Sequence, residues 1–123
     1  MLDKLKAMGA LAGIMKNQEG IKAATDRVKA KLAQTRLTGE AGSGACRVTV
    51  SGELKMISIE LAPALVRGMA ADDKTRELAS TLIVEATNAA MQKAQATIAE
   101  NVQAEANGLG LGDLVGNFKG LVS

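Results

Sequence analysis

Residues 37–61 read LTGEAGSGACRVTVSGELKMISIEL, and the alternation in this stretch decides the fold. Read with period 2, Leu37 to Ala41 is a short strand, Gly42-Ser43-Gly44 a turn, and Ala45 to Ser51 a second strand. Gly52 and Glu53 turn the chain again, and Lys55 to Leu61 is a third strand. Cys46, Val48 and Val50 share one face of the second strand, with Arg47, Thr49 and Ser51 on the other. In the third, Ile57, Ile59 and Leu61 alternate with Met56, Ser58 and Glu60. Three short antiparallel strands with one apolar face need a cover. The flanking sequence offers helices for it.

On the N-terminal side, Leu2 to Gln34 reads as one long helix. Leu5, Met8, Leu11, Ala12 and Met15 recur at steps of three and four, and Ile21, Ala24, Val28 and Leu32 continue the stripe. Gly9, Gly13 and Gly20 lower helix propensity, which places fraying or a bend before Ile21. A straight helix of this length spans roughly 50 Å, more than so small a sheet covers, so part of it projects or pairs with another helix. The opening MLDKLKAMGALAGIMK has the outline of a signal peptide. Asp3 breaks its basic start, Lys16 closes a short apolar run, and no small-residue cleavage site follows, so it reads as an amphipathic helix.

On the C-terminal side Pro63 bars a continued ladder. Asp72 or Asp73 caps the next helix, which runs from Asp73 to about Ala106 without Gly or Pro. Its stripe holds Leu78, Leu82, Ile83, Ala86, Ala89, Ala90 and Met91, then Ala94, Ile98 and Val102. Residues 1–106 thus read as a single domain. Residues 107–123 read as a Gly-rich apolar tail, with one possible helical turn at Asp113 to Lys119 and a docking edge of Leu114, Val115 and Phe118. The class is α+β, in the order α-β-β-β-α.

With one Phe and no Trp or Tyr among 123 residues, the core is built from Leu, Ile, Val, Met and Ala. Such a core buries limited area, and a second subunit would extend it. No apolar run approaches the roughly 18 residues of a membrane span. The net charge of +2 conceals an asymmetry. Residues 1–36 hold eight basic and three acidic side chains, net +5, whereas the remainder holds seven and ten, net −3. A positive field at one end suits polyanions, and the same lysines equally serve a solvated helix face.

The chemistry of catalysis is missing. Without His there is no histidine base, no Ser–His pair and no His metal site, and the single Cys46 falls on an apolar strand face, where it reads as a core thiol. With one Cys no internal disulfide forms, which fits a reducing cytoplasm. Gly39 to Gly44 opens with the spacing of a phosphate loop, but Ala45-Cys46 stands where that motif requires Lys and a hydroxyl residue. Gly108, Gly110 and Gly112 follow a helix rather than a strand, so they form no dinucleotide fingerprint. Aromatic platforms for single strands are absent too. An enzyme is not expected, nor is a cofactor, a metal or a small-molecule substrate.

The run Leu37 to Gly44, followed by Val48-Thr49-Val50 and Gly52, resembles the YbaB/EbfC family of small bacterial nucleoid-associated proteins. The likeness resumes in Ile57-Ser58-Ile59, Pro63 and Leu65. It returns in Asp73-Lys74, Glu77-Leu78 and Ala86-Thr87-Asn88-Ala89-Ala90, so that it covers roughly Leu2 to Val102. The resemblance implies a cytoplasmic, nucleoid-bound homodimer whose strands form a shared core and whose long helices project as arms around double-stranded DNA. On that footing Lys22, Arg27, Lys29 and Lys31 of the first helix are the expected phosphate contacts, with Lys93 of the last helix a weaker one. The competing expectation is a protein-interaction dimer or scaffold that grips a protein partner between its helical arms.

Overall fold

The structure, a computed structural model, describes residues 18–110. In chain order these form α1 (Gln18–Gln34), β1 (Arg36–Ala41), β2 (Cys46–Ser51), β3 (Met56–Leu61), α2 (Pro63–Ala71) and α3 (Asp73–Gly108). The α+β class and the order of the long elements agree with the sequence. The expected helical start from Leu2, the turn at Asp113 to Lys119 and the docking residues Leu114, Val115 and Phe118 lie outside the described residues. The described chain forms two compact units, one of residues 31–100 and one of residues 18–30 with 101–110.

The larger unit is built on an antiparallel sheet of order β1-β2-β3. Each strand begins or ends within one residue of its expected bounds. At the first turn Gly42, Ser43 and Gly44 all take positive φ (64°, 56° and 89°), a region that excludes most side chains. At Gly42 a Cβ would also meet Leu82 Cδ1 at 2.9 Å. The second turn falls at Gly52 and Glu53, as expected. Its positive φ falls on Leu54 (65°), and Ser51 Oγ accepts from the main-chain N–H groups of Glu53 (3.2 Å) and Lys55 (3.4 Å). Those bonds explain how Ser51 is buried at no polar cost.

A bulge sits between Thr49 and Val50, so that Ser58 pairs with Thr49 and Met56 with Val50. It changes the reading of β3. Met56 joins Ile59 and Leu61 on the inner face instead of alternating with them, and Ile57 is the extra residue.

The inner face of β1 and β2 packs under α3. Cys46, Val48 and Val50 are wholly buried against Leu65, Ala79, Leu82, Ala86, Ala90 and Ala94. Burying each valine stabilises the fold by about 1.5–3 kcal/mol. The helix can lie this close because its buried stripe is mostly alanine and because β1 offers Gly39. A Cβ there would stand 2.5 Å from Ala90 N and closer still to the carbonyl oxygen of Ala86. Leu78, expected in the stripe, is instead 52% exposed, and Ala79 takes the inward position. Burial also pushes the Cys46 thiol pKa up from its ordinary value.

Helix α2 has no counterpart among the elements that the sequence pattern predicts. Pro63 occupies its first turn, where a missing N–H costs nothing, and Leu65 anchors it in the core. Asp72 separates α2 from α3 and caps the latter. Its carboxylate accepts Thr75 N–H (2.8 Å) and Thr75 Oγ1–H (3.0 Å), which holds its pKa below the usual value. No helix among the described residues is long and apolar enough to cross a membrane.

Candidate nucleic-acid interface

Helix α1 carries four of the five expected contact residues, and its period divides them. Lys22 and Lys29 stand seven residues apart, two turns along one flank, so their Cα atoms are separated by about 10 Å. Arg27 and Lys31, four residues apart, lie on another flank. Ile21, Ala24, Val28 and Leu32 form the stripe between them, with Ala24 and Leu32 buried.

All four cations are exposed, but they are not equally available. Arg27 donates Nη2–H to Glu105 Oε2 at 3.0 Å and Nε–H to Glu105 Oε1 at 3.4 Å, a two-pronged pair. The hydrogen bond and the charge of Glu105 raise the pKa of Arg27 further. Among the described residues Lys22, Lys29 and Lys31 make no ion pair.

Other basic side chains are largely committed. Arg36 donates to the carbonyls of Ala33 (2.8 Å) and Thr35 (3.2 Å), closing the C-terminal end of α1. Arg47 pairs with Glu40 at 2.7 Å and reaches Glu60 at 4.0 Å on the outer face of the sheet. Lys55 faces Glu53, and Arg76 pairs with Asp73. Lys93, the fifth expected contact, donates from Nζ to the main-chain oxygen of Thr38 at 2.7 Å. Two exposed cations that charge asymmetry overlooked, Arg67 on α2 and Lys74 on α3, join the three α1 lysines in making no ion pair among the described residues. Arg67 stands alone in an uncharged run and Lys74 lies among the acids Asp72, Asp73 and Glu77, so net charge pointed to neither.

Within the smaller unit an open, mostly apolar groove of about 210 Å³ is lined by Ile21, Ala24, Val28, Val102, Ala106 and Leu109, together with Lys29 and Glu105. Among the described residues no three His, Cys, Asp or Glu side chains gather where a metal ion could be held.

Exposed lysines along α1, without ion pairs among the described residues, give that helix a positive face of the kind that suits polyanions. The model of the YbaB/EbfC DNA-binding family matches residues 8–109. A nucleoid-associated protein of Neisseria meningitidis serogroup C is 36% identical over 105 residues, 84% of this chain and 92% of that protein. Nucleoid-associated protein NMA1657 of N. meningitidis serogroup A is 35% identical over the same shares. The crystal structure of an uncharacterized protein, HP0035 from Helicobacter pylori, superposes with a TM-score of 0.53 at 16% identity, covering 65% of this chain and 87% of that one, a likeness of fold. The chain belongs to the YbaB/EbfC DNA-binding family.

Proposed function

We propose that this protein is a homodimer that binds double-stranded DNA through phosphate contacts and works on the nucleoid in the bacterial cytoplasm, organising DNA and influencing gene expression. The observation that carries the reading is the set of exposed lysines on α1, Lys22, Lys29 and Lys31, without ion pairs among the described residues of a chain from a DNA-binding family. One duplex strand carries a phosphate every 3.4 Å or so of axis, so the spacing of Lys22 and Lys29 spans about three phosphates. Arg27 and Lys93 contribute only on leaving Glu105 and the Thr38 carbonyl. Residues 1–106 form the binding domain and 107–123 its tail.

The homodimer draws support from β3. Met56, Ile57 and Ile59 of β3 are 47%, 48% and 46% exposed, and Leu54 just before it is exposed as well. A strand edge with such side chains is a surface that natural proteins cover. A second copy would cover it and double the phosphate contacts by symmetry.

The groove along Ile21, Val28, Val102 and Leu109 favours a second reading, a dimer that holds a protein partner. Fluorescence anisotropy of a labelled duplex at rising salt separates the two. Phosphate binding weakens linearly in log–log form, by about 0.9 per phosphate neutralised. Failure to bind several duplexes at low salt, with capture of a protein partner that survives salt, would establish the second reading instead.

A further inference from the structure

Resting on the DNA-binding reading, we propose that Glu105 sets the affinity of the α1 surface for phosphate by occupying the guanidinium fork of Arg27. The two-pronged geometry, with Nη2 at 3.0 Å and Nε at 3.4 Å from separate carboxylate oxygens, is the arrangement in which an arginine grips phosphate. A carboxylate there is an intramolecular stand-in for the ligand. It is tethered and always present, so a phosphate must displace it before Arg27 adds to binding.

The pair is open to exchange. Arg27 is 59% exposed at its side chain and Glu105 34%, and an ion pair of that exposure is held weakly enough to yield. Glu105 and Lys29 both line the groove, so the carboxylate tempers the field of a lysine that makes no ion pair among the described residues. Glu105 therefore acts as an acidic antagonist on α3 to the basic flank of α1. It keeps Arg27 out of non-specific contacts while leaving Lys22, Lys29 and Lys31 ready.

The test is a set of salt titrations on one labelled duplex with wild type, Glu105→Gln, Arg27→Ala and the double variant, with Glu100→Gln as a control for loss of one negative charge. Glu105→Gln is expected to tighten binding about two- to fivefold at low salt and to steepen the salt slope by about 0.9 for each arm engaged. Glu100→Gln should leave the slope unchanged, and the gain from Glu105→Gln should vanish when Arg27 is Ala. If wild type binds while Glu105→Gln binds no tighter on the same slope, or the gain survives without Arg27, the role of Glu105 is overturned and the DNA reading stands. If neither binds any duplex, both fall. Circular dichroism of each variant confirms that the helices are retained.

Discussion

The ammonium of Lys93 on α3 donates to the main-chain carbonyl of Thr38 on β1 at 2.7 Å, tying the helix to an edge strand of the sheet. With Gly39 pressed under Ala86 and Ala90, this bond makes β1 the guarded side of the sheet. The opposite edge, β3, has no such cover among the described residues. The asymmetry sets Lys93, bonded to the sheet, apart from the lysines proposed for binding. Lys93→Met should lower stability by about 1 kcal/mol, read as a lower Tm, while duplex affinity and its salt slope change little. A slope reduced as much as by loss of Lys22 would return Lys93 to the binding surface.

Gly39→Ala tests how α3 meets the sheet. The new Cβ would collide with main-chain atoms of Ala86 and Ala90, which cannot swing aside as a side chain does. Destabilisation of about 3 kcal/mol or more is expected in urea unfolding. A variant as stable as wild type would mean that α3 can shift at little cost.

The exposed residues of β3 predict an assembly defect rather than a folding defect. Ile57→Thr with Ile59→Thr removes apolar side chains that the described chain leaves half in solvent. Sedimentation equilibrium should show the proposed dimer dissociating at concentrations where wild type is associated, with the circular dichroism spectrum unchanged. An unaltered dimer would move the interface elsewhere.

The cap at Asp72 has a defined pH dependence. Its folded pKa lies below the reference value of 3.8, because Thr75 donates its main-chain N–H and its hydroxyl to the carboxylate. The stabilisation is therefore present above the unfolded pKa and is lost as pH falls through the folded one. Thermal melts should place Asp72→Ala below wild type at pH 6, with the gap closing toward pH 2. A gap independent of pH would show that the charge of the cap is not what holds α3.

The extent to which the chain could be read followed how local each determinant was. Strands and long helices were visible because alternation in Cys46 to Ser51 and the spacing in α1 and α3 are written within a few residues. The bulge at Thr49 and Val50, the move of Leu78 to the surface and the closeness of Gly39 to α3 arise from pairings between distant segments, which periodicity does not encode. Helix α2 was hidden by its length and by a proline that suggested only an ending. At the candidate site, the basic residues of α1 could be chosen from charge. That Arg27 answers to Glu105 and Lys93 to Thr38, 78 and 55 residues away in sequence, could not.

If the lysines of α1 that make no ion pair among the described residues hold DNA by its phosphates, reversing their charge abolishes binding. Wild type and a variant with Lys22, Lys29 and Lys31 all changed to Glu are titrated against the same labelled duplex across rising salt, with the mass of each followed by light scattering. Wild type should bind with steep salt dependence, and the variant, unchanged in mass, should lose binding even at low salt. A variant that keeps wild-type mass, affinity and salt slope would contradict it.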